Sequence, residues 1–221
     1  MRILCVSDQV DPLVYSSRLK ERFGDVDFVL AAGDLPLEYL GFITSMLNKP
    51  LYYVEGNHDL GRIARAGPDL FNSAACLDRP EDATGAVDAG FRIVKAEGLR
   101  ILGLPGSMRY NGGPNQFTEL SMFLHILALA PRLVLRRCLR GRAADIVLTH
   151  APPRAVHDRD DPCHRGFKSF NWIIHAFRPR WLVHGHVHLY DLADVRVTRV
   201  ESTTVVNAFG HWVIDTEEGE P

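Results

Sequence analysis

Cysteine is sparse and scattered. Four residues, Cys5, Cys76, Cys138 and Cys163, make no CxxC pair, which argues against a disulfide framework. Cys5 lies in a buried-strand pattern and Cys138 on a helical apolar face, so the thiols read as reduced and structural, in a cytoplasmic protein. Long apolar runs are missing too: the longest, near Leu120–Ala130, is interrupted by Ser121 and His125 and stops at Pro131, too short to span a bilayer. The chain opens directly on Met1-Arg2-Ile3-Leu4-Cys5-Val6, a strand pattern, so no signal peptide is expected. A formal charge of −2 gives no pull toward nucleic acid or an anionic membrane. No internal repeat, low-complexity tract or linker divides the sequence. What remains is an ordinary globular composition, 46% hydrophobic and 24% charged, in 221 residues that fit one α/β domain over 1–221.

Alternation organises the first third. Arg2–Ser7, Asp27–Ala32 and Leu51–Glu55 read as buried strands, separated by a short helix around Ser16–Phe23 and by a helix carrying Leu37, Leu40, Ile43 and Leu47 on one face, with Pro36 in its first turn. This is βαβαβ, hence parallel strands under helical cover. Residues 60–90 read as a helix-and-loop insertion. Phe91–Ala96 and Leu99–Leu104 read as a hairpin turning at Glu97-Gly98. A long helix is expected over about Gln116–Gly141, with Asn115 as its N-cap, a break or kink at Pro131, and an apolar stripe of Leu120, Phe123, Leu127, Val134 and Cys138. Strand Ile146–Thr149, a polar loop over 151–165, a helix at about Lys168–Phe177 and strand Trp181–His184 follow. Val195–Val200, Thr203–Asn207 and Trp212–Asp215 alternate like antiparallel strands.

Chemistry gathers where these strands end. Asp8, Gly33-Asp34, Gly56-Asn57-His58-Asp59, His150 and Gly185-His186-Val187-His188 each directly follow an apolar run. Open α/β sheets place their sites outside the carboxyl ends of strands. Carboxylate, amide and imidazole together are the ligand set of hard-to-borderline divalent metals. Asp8 or Asp34 alone would be an ordinary strand-end turn residue; five strand ends together point to a hydrolytic metal site.

This order of motifs resembles the calcineurin-like metallophosphoesterases, whose pattern is D-x-H, G-D, G-N-H-D/E, H and G-H-x-H, over roughly residues 1–207. The resemblance implies a four-layer α/β/β/α sandwich, two mixed β-sheets packed face to face with helices outside, and a dinuclear site for phosphoester hydrolysis. Carried over by position, Asp34 would bridge both metals, Asn57, His150 and His186 would complete the second, and Asp8 and His188 would bind the first. His58 would face the phosphate as the histidine that is not a ligand, with Asp59 orienting its ring. Two divalent transition metal ions are implied (Mn, Fe, Zn or Ni, with Mn favoured). Two metals about 3.5–4 Å apart supply a bridging hydroxide and neutralise phosphoryl charge. His58 could then donate a proton to the leaving group.

The sequence departs from the family at one place: Val10 stands where the first-metal histidine belongs, and valine cannot coordinate. Asp11 is the nearest replacement and Gln9 a weaker one; the alternative for Asp11 is a turn or cap before Pro12. Asp11 as a ligand would make the first site richer in oxygen and shift it toward Mn or Mg. His184 reads as a histidine packed behind the ligands, and His125 and His175 as structural or surface histidines. His157, His164, Asp158, Asp160 and Asp161 are weighed as another metal site, but their spacing fits no known ligand pattern and they read as a solvated loop near the mouth of the site. The arginines at 132, 136, 137, 140 and 142 are weighed as a phosphate or RNA contact and read as a solvated face, since the net charge gives such a contact no support. Arg109, in a glycine-rich loop after a strand, is weighed as a phosphate contact against a surface turn residue. The expected activity is hydrolysis of a phosphomonoester or phosphodiester of modest size. The alternatives are a binding or scaffold protein on a worn version of the fold, with Val10 its only support, and a nuclease. No membrane partner is expected.

Overall fold

The computed structural model describes residues 1–59, 84–191 and 193–216. Thirteen strands and four helices are named in chain order: β1 (Arg2–Ser7), α1 (Leu19–Phe23), β2 (Phe28–Ala31), α2 (Leu37–Leu47), β3 (Leu51–Tyr53), β4 (Ala86–Asp88), β5 (Arg92–Ala96), β6 (Leu99–Leu104), β7 (Ser107–Met108), β8 (Gln116–Phe117), α3 (Glu119–Arg140), β9 (Ile146–Thr149), α4 (Lys168–Phe177), β10 (Trp181–His184), β11 (Val197–Val200), β12 (Thr203–Asn207) and β13 (Gly210–Asp215).

Two mixed sheets form the centre. One has the order β13-β1-β2-β3-β4, the other β11-β12-β10-β9-β6-β5, and a small pair β7-β8 stands beside them. β1, β2, β3 and β4 run parallel and β13 closes that edge antiparallel; β6, β9, β10 and β12 run parallel, with β5 and β11 antiparallel at the edges. Strands in such sheets are apolar on both faces because both are covered. The period of two divides them cleanly. Ile3, Cys5, Phe28 and Leu30 from the first sheet meet Ile101, Ile146, Leu148 and Val183 from the second in one core. Leu4, Val6, Val29 and Ala31 face α1 and α2, while Leu102, Leu104, Val147 and Leu182 face α3 and α4. Helix, sheet, sheet, helix is the four-layer sandwich expected from the sequence.

Several local expectations are corrected. The first helix begins at Leu19, not Ser16. The insertion expected over 60–90 lies outside the described residues up to 83, and its far end is a strand: Ala86–Asp88 pairs parallel with β3. The N-cap of α3 is Thr118, whose Oγ accepts from the Ser121 amide at 3.1 Å. Asn115 instead takes a positive φ of 48° and its amide donates to Glu55 and to the Gly56 carbonyl, at 3.0 and 3.1 Å.

The long helix also runs unbroken through Pro131. Its buried residues are Met122, Ile126, Leu129, Ala130 and Leu133, not the stripe expected. Leu120, Leu124, Leu127, Val134, Leu135 and Leu139 are exposed, as is Cys138. A helix with leucines on its exposed as well as its buried side gives no clear periodic clue to which face is buried; the core decided it. No described helix is long and apolar enough to cross a membrane.

Candidate metal centre

The parallel strands of both sheets end on the same side, and their last residues turn sharply there. Asp8, Asp34 and His186 adopt left-handed backbone, with φ of 62°, 55° and 66°. For residues with a side chain this costs on the order of 1–3 kcal/mol each and persists only where the surroundings impose it, typically at functional sites. Here the surroundings are each other. The Asp8 amide donates to the Gly33 carbonyl at 3.1 Å, the Asp34 amide to Asp59 at 3.0 Å, and the His186 amide to Asp8 Oδ2 at 2.8 Å. The glycines permit the approach: a Cβ on Gly56 would collide with the Asp34 carboxylate, and one on Gly185 with the Ser7 hydroxyl and Asp8 carboxylate.

The result is a cleft of about 290 Å³ lined by Asp8, Asp34, Asn57, His58, Tyr110, Cys163, His164, His186 and His188. His150 is fully buried beneath it. His150 Nδ1 donates to the Ala32 carbonyl at 2.7 Å, so Nε2 faces Asn57 Oδ1 at 3.0 Å and Asp34 Oδ2 at 3.3 Å. Donor atoms about 3 Å apart are what ligand bonds of about 2.1 Å at right angles give. Donor atoms of Asp34, His150 and His186 converge within 4.8 Å. His186 Nε2 is fixed by the Cys163 carbonyl at 2.6 Å, leaving Nδ1 as its free donor. Outer contacts of this kind set the tautomer and aim of a metal-binding imidazole.

Asp8 and His188 line the same cleft. His188 Nδ1 contacts the Tyr190 hydroxyl at 2.6 Å, and Nε2 lies 3.9 Å from Asp8 Oδ1. That oxygen is buried and has no hydrogen-bond partner. A buried carboxylate oxygen with nothing to bind is costly unless a cation satisfies it; the residues fit a metal on this ground.

Electrostatics agree. Burial acts to raise the Asp34 carboxyl, but the His150 charge and hydrogen bond and the His58 amide outweigh it and hold it at about 2. Burial acts to lower His150, yet Asp34 and Asp8 carry it up to about 9. The carboxylates therefore hold positive charge between them. Burial, then the charge of His150, pushes His186 down to about 3, so it is a neutral imidazole, the form that coordinates. Burial, with Asp34 adding, raises Asp8 despite the opposing pull of His150 and its hydrogen bonds.

The remaining residues fall on both sides of expectation. Asp59 Oδ2 accepts from the amides of Gly56 and Asp34, at 2.6 and 3.0 Å, so it pins two loops together instead of orienting the His58 ring. His58 is exposed, with its amide tied to Asp34 Oδ1 at 2.8 Å. Asp11 takes the turn-and-cap alternative and is not brought to the cleft: its Oδ1 caps the Leu13 amide at 2.8 Å and its Oδ2 binds His211 at 2.6 Å. Arg109 is exposed outside the cleft lining, and its neighbour Tyr110 lines it instead, accepting from Asn57 Nδ2 at 3.2 Å. His184 is buried, contacting His157 at 2.9 Å, as the packed histidine expected. Tyr110, Cys163 and His164 also line the cleft; the loop over 151–165 reads from the sequence as near the mouth of the site, but without periodicity neither loop tells which side chains turn inward.

Residues 1–190 match the calcineurin-like phosphoesterase family. The chain belongs to that family. No curated protein matches the sequence. Among solved structures, TT1561 of Thermus thermophilus is similar with a TM-score of 0.61 at 13% identity, over 95% of this chain and 89% of that one. GAP50 of Plasmodium, described as the anchor in the inner membrane complex, is similar with a TM-score of 0.52 at 12% identity, over 94% of this chain and 70% of that one. At these identities the likeness is one of fold. It sets the calcineurin-like strand-end motifs of this chain in the architecture described above.

Proposed function

We propose that this calcineurin-like chain is a metal-dependent phosphoesterase acting on a phosphomonoester or phosphodiester of modest size. The observation that carries the reading is the buried, unpartnered Asp8 Oδ1 at a cleft where Asp34, Asn57, His150, His186 and His188 present donor atoms. Asp34, Asn57, His150 and His186 would hold one cation, Asp8, Asp34 and His188 the other, with Asp34 shared; Mn suits this mixture of oxygen and neutral imidazole donors. When bound, such a pair supplies acidified water and neutralises charge on the phosphoryl oxygens.

The chain's own groups do the rest. Asn57 gives a carbonyl oxygen without adding negative charge, and Tyr110 fixes its amide. His58, free of the donor cluster and lining the cleft, is placed to give a proton to the leaving oxygen. Asp59 keeps the Gly56-Asn57-His58 loop against Asp34. Reduced thiols go with a cytoplasmic location. The test is hydrolysis of bis-p-nitrophenyl and p-nitrophenyl phosphates with added Mn: Asp34→Ala and His150→Ala should abolish it, and unchanged turnover in either sinks the assignment.

Val10, in the place of the family's first-metal histidine, favours a second reading, a binding module on the same fold. It would show no bound metal and no turnover with any divalent ion. A nuclease would instead cleave DNA or RNA with activity that falls steeply with salt.

A further inference from the structure

The loop between β9 and α4 places a second donor cluster at the mouth of the cleft. Cys163 Sγ lies 2.8 Å from Asp161 Oδ1 and 3.2 Å from His164 Nδ1, and His164 Nδ1 lies 2.9 and 3.0 Å from the two Asp161 oxygens. We propose that Asp161, Cys163 and His164 bind a thiophilic divalent cation of the zinc class, separate from the Asp-Asn-His cluster on the cleft floor.

A tight turn accounts for only part of this arrangement. Asp161 Oδ1 accepts from the amides of Cys163 and His164, at 3.2 and 3.1 Å, as an aspartate capping a turn does. That leaves unexplained why a thiol and an imidazole both fold back onto the same carboxylate. Zn–N bonds of about 2.0 Å and Zn–S bonds of about 2.3 Å in a tetrahedron set donor atoms roughly 3.3–3.5 Å apart. The two edges at His164 Nδ1 need to open by about 0.3–0.4 Å and the Cys163 Sγ to Asp161 Oδ1 edge by about 0.7 Å to accept an ion.

Binding balances simply: the cation replaces the thiol proton, which leaves to solvent, so that Cys163 coordinates as thiolate. The structure also says where the ion would act. Cys163 and His164 line the same cleft as Asp8, Asp34 and Asn57. The Cys163 carbonyl holds His186, and the His164 ring lies 5.3 Å from the His186 ring. Three protein ligands leave one position open to water or to an oxygen of a molecule in the cleft, the pattern of reactive rather than structural zinc sites. Donor softness separates the two sites. A thiolate selects zinc-like ions over Mn and Mg, while the oxygen and imidazole donors of the floor accept Mn.

Cobalt reads this directly, whether or not the protein hydrolyses anything. Metal-free protein titrated with Co²⁺ should develop the near-ultraviolet sulfur-to-cobalt charge-transfer absorption that only a thiolate ligand gives. Cys163→Ser should lose that band and bind one equivalent less cobalt. His164→Ala, at a half-exposed loop position that folding tolerates, should weaken the affinity read from the band at least tenfold. Asp34→Ala, which disrupts the floor cluster, should keep the band. Absence of the band in the wild type overturns the proposal, as does its persistence in Cys163→Ser, equal cobalt content in the two proteins, or undiminished affinity in His164→Ala.

Discussion

Asp8→Asn should have opposite effects with and without metal. The Asp8 side chain is 1% exposed, its Oδ1 has no partner, and burial, with the Asp34 carboxylate adding, raises its pKa. Its other oxygen accepts from the His186 amide, a contact that an asparagine carbonyl can keep. Without metal, the substitution removes a buried, incompletely satisfied charge, a penalty of about 1–3 kcal/mol or more. The metal-free variant should therefore melt no lower than wild type. At about 2–4 °C per kcal/mol for a chain of this size, it should gain a few degrees. A cation at 100 times its Kd contributes about 2.7 kcal/mol, or roughly 5–11 °C, for each site filled. With Mn the order should invert, because wild type gains from both sites and Asp8→Asn loses the first. Thermal melts by circular dichroism after chelation, then with increasing Mn, measure both halves. A metal-free variant that melts several degrees below wild type would make Asp8 a structural cap. An equal Mn-induced rise in both proteins would remove Asp8 from the ligand set.

His58→Ala should leave metal content unchanged and lower kcat by about 10²–10⁴-fold, the range for loss of a positioned proton donor; loss of metal, measured by elemental analysis of the purified variant, would make His58 a ligand. The His157–His184 pair predicts an acid-labile fold. Burial pushes His157 down to about 4, so its neutral form is the native one, and stability is lost as pH falls from 6.5 through 4. The full contribution is roughly 3 kcal/mol. His150 has the opposite sign, since its raised value stabilises the metal-free fold below pH 6.5 and fades as pH rises to about 9. The difference between wild type and His157→Gln therefore isolates the buried pair. Denaturant midpoints at pH 7.5 and 4.5 should fall less in the variant, and equal falls would refute the assignment.

What the sequence disclosed and what it hid divide along a physical line. Strands buried on both faces, such as Ile3–Ser7 and Ile146–Thr149, are short continuous apolar runs, and the residue that ends each run must turn where the sheet stops. Asp8, Asp34, Asn57, His150 and His186 were legible because local pattern and position in the fold coincide for them. α3 shows the reverse. With leucines on both its buried and its exposed sides, its periodicity fits more than one face, and packing against Leu102 and Val147 selects Met122, Ile126 and Leu133 for burial. Asp11 and Asp59 show another limit. Their residue type fits the roles given them, but a carboxylate's partner depends on which amide or ring comes within 3 Å. For Asp11 that partner is His211, 200 residues away in sequence. Tyr110, Cys163 and His164 lie in loops whose course is set by contacts at both ends, Gln116 gathering the amides of Tyr110, Asn111 and Gly112, and Glu119 of α3 capping the first amides of α4. These contacts have no period to read. The floor of the cleft is thus written in the strands, while its walls, which would select the ester and hold any third cation, are written in long-range side-chain contacts.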